Sequence, residues 1–295
     1  MQSFSRGWQF LKQAWQMAAA DKDLIKPSIY TLFAGAIVSM IGIVPMVLVS
    51  VLFSNSGFLG QAIIFIFGVL LVFGEFIVSY IFSAMTVYLI YGYLSEGDGR
   101  MDKAWAIVKR DFFDLATLAA ASTVINTIKN MVKGKGNKGG RNFLASMIEA
   151  VWTEAAYLIL PAMVIEDIDL KGGIKRASQI VQENLLLIGI STVGVKTVTT
   201  LIGFLLGLMG AILGSALGYG IIYLAGGTTV TLGLVIGITI GLLIFFLFVM
   251  IATVIGTYTS TAYHTCLYLW ARDLEQNEVF DQPVTAPAPL AAVLG

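Results

Sequence analysis

From Glu183 to Trp270 the chain is almost free of charge. Beyond Glu183 itself, Lys196 is the one formal charge and His264 the one other ionisable base. The stretch divides at residues 223–229 (Tyr-Leu-Ala-Gly-Gly-Thr-Thr) into two runs. Each run is longer than the ~20 apolar residues that cross a bilayer. Glycine recurs at helical spacing in both, at Gly203, Gly207, Gly210, Gly214 and Gly218 in the first and at Gly233, Gly237 and Gly241 in the second. In water each such glycine weakens a helix by up to ~1 kcal/mol relative to alanine. In lipid, small residues spaced this way let two helix backbones approach closely. The expectation is a tightly packed transmembrane hairpin.

The rest of the composition agrees with a bilayer as the solvent. Charged residues make up 12% of the chain and apolar ones 57%, whereas a soluble domain carries ~25% charged residues. The net charge of zero argues against a nucleic-acid partner, which a basic surface would recruit. A single cysteine, Cys266, excludes an internal disulfide and gives no zinc spacing.

Charge placement says more than charge total. Of 36 formal charges, 34 fall in residues 1–27, 95–183 and 271–281. If the chain crosses near 29–53, 60–90, 184–218 and 229–265, all three blocks lie on one side and the uncharged connections on the other. The positive-inside rule makes the charged side cytoplasmic. Both termini are then expected in the cytoplasm of a cell that carries the protein in its inner membrane.

Taken in order, residues 3–20 read as an interfacial helix, with Phe4, Trp8, Leu11, Trp15, Ala18 and Ala19 on one apolar stripe. Trp8 and Trp15 here, and Trp270 near the other end, read as aromatic interface anchors; they do not fit a cleaved signal peptide. Asp21-Lys22-Asp23 with Pro27 predicts a turn and a helix start. Residues 29–94 form a first long hairpin, kinked at Pro45. Residues 95–183 are a cytoplasmic-side amphipathic region with a short helix over 101–110. It also holds two amphipathic segments, 113–131 and 143–164, joined by the basic stretch 133–141. That stretch carries four positive charges and is costly to translocate, which favours two half-penetrating helices over two full crossings. Six crossings are the runner-up. Residues 184–272 are the glycine-rich hairpin, and 282–295 a flexible proline- and alanine-rich tail.

The pattern Gly7-Trp8, Lys12, Trp15, Asp21-Lys22-Asp23 and Pro27 resembles a group of bacterial and archaeal multi-pass membrane proteins classed as domains of unknown function. Trp152, Pro161, Glu166, the run Ile174-Lys-Arg-Ala-Ser178 and Asn184 resemble the same group's second half. The resemblance spans nearly the whole chain, and what it implies is topology. A more distant similarity is to the CysZ-type sulfate permease, which combines long transmembrane helices with a central half-penetrating pair. The fold class expected is therefore an all-α polytopic bundle. It has four long transmembrane helices, two shorter half-penetrating or interfacial helices and an N-terminal interfacial helix, in one domain over 1–281.

Candidate chemistry is sparse. Glu75 and Lys196 are the two charges at membrane depth, where an ionisable residue is costly, and each is expected to be the other's partner. His264 and Cys266 are two apart and point to different helix faces. With no second histidine a metal site is not expected, and a satisfied packing histidine is the better reading. Glu149 and Glu154 are five apart, too far round a helix to pair. No Ser-His-Asp, HExxH or GxSxG pattern occurs, and the basic stretch lacks the phosphate-loop spacing. No enzyme and no cofactor is expected.

Two functions remain. The leading one is a membrane-embedded scaffold or accessory subunit that acts by self-association or through a membrane-protein partner. The other is a small-solute or anion transporter or channel.

Overall fold

The computed structural model describes residues 2–53, 57–133, 139–224, 232–278 and 286–294; for 2–3, 139, 183–192, 276–278 and 292–294 only the backbone is described. Residues 225–229 of the division between the two apolar runs, the middle of the basic stretch and the start of the tail lie outside the described residues.

Among the described residues every element is helical. The order is α1 (Gln2–Ala20), a 3-10 turn (Lys22–Leu24), α2 (Lys26–Phe53), α3 (Gly57–Glu96), α4 (Met101–Arg110), α5 (Phe112–Lys133), α6 (Gly139–Glu166), α7 (Leu170–Leu224), α8 (Leu232–Glu278) and α9 (Ala288–Leu294). Five stretches are long and apolar enough to cross a membrane: Lys22–Phe53, Gly57–Glu96, Gly140–Glu166, Val193–Leu224 and Leu232–Glu275. The predicted turn is present. Asp21 caps it by accepting from the Asp23 N–H at 2.9 Å, and its other oxygen accepts from the Gly99 N–H at 2.7 Å. One carboxylate thus ties the α1–α2 corner to the α3–α4 loop. That loop leaves α3 through Gly97 at φ +81°, a left-handed conformation that a side chain disfavours.

The dry core lies at the charged end. Phe10 and Leu24 meet Met85, Leu89 and Ile90 of α3, Leu158 and Ile159 of α6, and Tyr258 and Tyr263 of α8, all nearly inaccessible. Away from this core the α2–α3 and α7–α8 hairpins present large exposed apolar side chains, among them Met40, Leu52, Phe58, Leu213 and Leu243. Water would penalise so much exposed apolar surface, which suits helices long and apolar enough to cross a membrane.

Within α7–α8 the glycines divide. A Cβ on Gly218 would lie 2.7 Å from the Gly237 carbonyl oxygen, and one on Gly237 2.6 Å from that of Gly218. Gly214 faces Gly241 in the same way, and Gly210 meets the Phe248 side chain. Gly203 and Gly207, expected on the same packing face, look into open space. Of these glycines, those from Gly210 outward meet α8, and the spacing alone did not mark where that contact begins.

Four further elements gain detail. The first is α1, which is docked against the other helices. It buries Phe10, Leu11, Ala14, Met17 and Ala18, while Phe4, Trp8 and Ala19 of the predicted stripe are exposed. Gly7 makes this docking possible, because a Cβ there would collide with the Gly194 carbonyl of α7. Trp15 packs against α8; its Nε1–H donates to Thr259 Oγ1 at 3.3 Å and its ring meets Tyr258 edge-on. Trp270 also packs partly buried against the core.

The second is α7, which is continuous from Leu170, so residues 170–183, expected in the amphipathic region before the glycine-rich hairpin, are its first turns. Third, the tail is not wholly frayed: Leu290 of α9 is fully buried in the core with Phe10. Helices α1 and α9 thus lie at the same end of the molecule. Fourth, α5 and α6 form an antiparallel pair, bridged by Trp152 to Ser122 and by Lys129 to Glu149. Asn130 and Met131 near the end of α5 line a cavity with Met46, Ile64 and Phe65. The end bearing Lys133 therefore points along α3 toward the α2–α3 turn, away from Glu96.

Candidate functional site

Helix α6 is apolar overall, yet carries polar side chains on both of its long faces, and a cavity opens on each. On one face Glu149, Trp152, Thr153, Ala156, Tyr157 and Leu160 follow the three-to-four residue period. On the other, Val151, Glu154, Ala155 and Leu158 do the same. Trp152 borders both.

The first cavity, about 270 Å³, is lined by α2, α3, α5, α6 and α8. Its wall is rich in hydroxyl and amide groups, including Ser79, Ser83, Asn126 and Thr257. A three-residue network fixes one side. Tyr80 Oη and Ser122 Oγ are 2.7 Å apart, and Trp152 Nε1–H donates to the same Ser122 Oγ at 2.9 Å. At the rim Lys129 Nζ stands 3.1 Å from Glu149 Oε1. The cavity therefore offers neutral donors and acceptors with one internally balanced ion pair.

The second cavity, about 710 Å³, lies between α6, α7 and α8 and is walled mostly by apolar side chains. Its polar feature is a triad. His264 is nearly buried; its Nδ1 lies 2.7 Å from the Ser260 carbonyl oxygen and its Nε2 3.0 Å from Glu154 Oε2. The imidazole stacks on Tyr157 with ring centroids 4.5 Å apart. Lys196 Nζ reaches Glu154 Oε1 at 3.3 Å from an exposed position.

The expected Glu75–Lys196 pair is not formed. Lys196 is held by Glu154, and the Glu75 carboxylate lies against α2, where Ser39 Oγ–H donates to it at 2.5 Å and Gly35 leaves room one turn away. Two charges alone in an apolar sequence suggested each other, but each found a different partner on an adjacent helix. His264 is the satisfied packing histidine that was expected, with the addition of a carboxylate. Sequence reading weighed Glu154 only against Glu149, since 110 residues separate it from His264 and no local spacing joins them.

A second cluster closes the charged end of the same three helices. Arg176 of α7 pairs with Glu166 of α6 at 3.1 Å and with Glu275 of α8, and Tyr268 Oη–H also donates to Glu166. Burial works against the Arg176 charge, but the bonds to Glu275, Tyr268 and Glu166 outweigh it and raise its pKa. Arg110 adds a bridge to Asp167 at 3.0 Å. These contacts hold α6, α7 and α8 together below the cavities.

Among the described residues no group of three or more histidine, cysteine or acidic side chains forms a metal site. Cys266 is fully buried. No family model matches the chain, and neither a curated protein nor a solved structure matches it.

Proposed function

We propose that this chain is a membrane-embedded carrier or channel for a small polar solute of no net charge, bound in the cavity between α3, α5 and α6. The observation that supports it is a hydroxyl- and amide-lined cavity inside helices whose outer surfaces are apolar. Polar groups inside a bundle are costly unless they are paired or used. Here the Tyr80–Ser122–Trp152 network holds its members in fixed positions while Asn126, Ser79 and Ser83 face the space. The volume falls just below the ~300–1,000 Å³ of typical small-molecule sites, and the balanced Lys129–Glu149 pair favours a neutral or zwitterionic occupant.

The topology that fits best has six crossings: the five stretches apolar enough to span, α6 among them, and the amphipathic α5, whose polar face lines the cavity. Exposed apolar side chains line both helices up to their joined end: Val124, Ile128 and Met131 on α5, and Phe143, Leu144 and Met147 on α6. Four positive charges at that end would be stranded in hydrocarbon unless they reach the far interface. Twelve of the 18 Lys and Arg residues stay with the helix ends around α1, α4, the start of α7 and the end of α8. The bias still makes that side cytoplasmic, with both termini inside, in an inner membrane. Labelling an Arg141→Cys variant from the outer side of intact cells tests this; modification only after permeabilisation returns the α5–α6 pair to the half-penetrating arrangement.

Flux decides between the carrier and the scaffold expected from sequence. Proteoliposomes challenged with glycerol, urea and neutral amino acids should take up at least one faster than protein-free vesicles. Ser79→Phe, which fills the cavity, should abolish the difference. Uptake equal to protein-free vesicles for all of them would sink the carrier reading. The scaffold would then rest on the rigid Arg176–Glu166–Glu275 end.

A further inference from the structure

The cavity on the other face of α6 has a charge imbalance that follows from hydrogen-bond geometry alone. The Ser260 carbonyl oxygen can only accept, so the proton on that side is carried by His264 Nδ1. His264 Nε2 then faces Glu154 Oε2 at 3.0 Å, a distance that needs a proton between the two atoms. Whether that proton rests on the imidazole or on the carboxyl, the His264–Glu154 pair sums to zero. Lys196 is left as one positive charge in excess. Among the described residues no other acidic side chain lines this cavity or its extension.

The surroundings of that charge are apolar and open toward lipid. Ala155, Leu158, Ile159, Ala177 and Val181 wall the cavity between the helices. Val193 and Lys196 also border a second hollow, about 520 Å³, which runs along α7 past Thr200 and Leu201 to Phe204. Leu201 and Phe204 are themselves exposed on a stretch apolar enough to span a bilayer. A cation in excess of its partners' charge, at the junction of an interhelical cavity and a lipid-facing groove, is complementary to an amphiphile with an anionic head. We propose that this site binds an anionic phospholipid from the surrounding bilayer. Its phosphate sits at Lys196 Nζ, one acyl chain lies between α6 and α7, and the groove toward Phe204 is the path of entry. The Glu154–His264 pair positions Lys196 by holding its ammonium from below. The site is separate from the polar cavity and does not depend on the carrier reading, since Lys196 does not line the polar cavity.

The test is lipid retention. Purified protein reconstituted in equimolar phosphatidylglycerol and phosphatidylcholine, then extracted in mild detergent, is examined by native mass spectrometry. Wild type should retain phosphatidylglycerol over phosphatidylcholine by about tenfold, and the preference should weaken at high salt. Lys196→Met should bring it close to one, and Lys196→Arg should keep it, which separates loss of charge from loss of fold. Equal retention of the two lipids by wild type, or a preference unchanged in Lys196→Met, overturns the proposal. So does thermal stabilisation by glycerol 3-phosphate equal to that by the lipid, because that anion has no chain.

Discussion

A Cβ built on Gly241 would lie 2.7 Å from the carbonyl oxygen of Gly214. No real side chain tolerates that distance, so α7 and α8 are held at backbone contact here and one turn further out, at Gly218 and Gly237. Leucine at Gly214 or Gly241 should lower the thermal midpoint in detergent, with a cost in the range of ~1–3 kcal/mol for overpacking. Gly203→Leu and Gly207→Leu, which meet open space, should leave it unchanged. A scan by differential fluorimetry checks all four; equal losses at the four positions would contradict the contact pattern.

Glu75 and Lys196 should behave as strangers. In a double-variant cycle, Glu75→Leu and Lys196→Met are expected to add within ~0.3–0.5 kcal/mol, as independent sites do. Glu75→Leu and Ser39→Ala, in contrast, share one hydrogen bond and should be clearly non-additive. Urea or thermal unfolding in a fixed detergent reads both cycles, and coupling in the first with none in the second reverses the assignment.

Ser122 is the shared partner of two large side chains. Its oxygen serves Tyr80 Oη and Trp152 Nε1 together, and the residue is itself almost fully buried. Ser122→Ala leaves both groups short of a partner, which costs ~1–3 kcal/mol for each truly orphaned group. The variant should unfold earlier and, on the carrier reading, lose flux at temperatures where it is still folded. A stability equal to wild type would mean that solvent already reaches both groups.

Much of this architecture was visible in the residues. Asp21 and Asp23 before Pro27 marked a turn that the structure keeps, and residues 101–110 form the short helix their apolar spacing predicted. The long uncharged runs gave the hairpins. What failed to show was contact between distant elements. The α1 stripe was read from apolar residues alone, but Gly7 decided which face docks, since only a bare backbone fits against Gly194. The Glu154–His264–Lys196 triad comes from three helices and has no common spacing. Its one trace is that α6 carries polar residues on two faces, a pattern that also describes any amphipathic helix.

The length of the α7–α8 hairpin has a consequence for where the protein settles. Its Val193–Leu224 arm has 32 residues, about 48 Å at 1.5 Å per residue, against a hydrocarbon layer of ~30 Å. Locked by glycine contacts, the two arms cannot shorten independently and must tilt as a unit or stretch the lipid around them. Hydrophobic mismatch of this kind sorts proteins among membranes of different thickness. In vesicles that separate into thick and thin phases, the protein should gather in the thick one, and a variant with six residues removed from each arm should lose that bias.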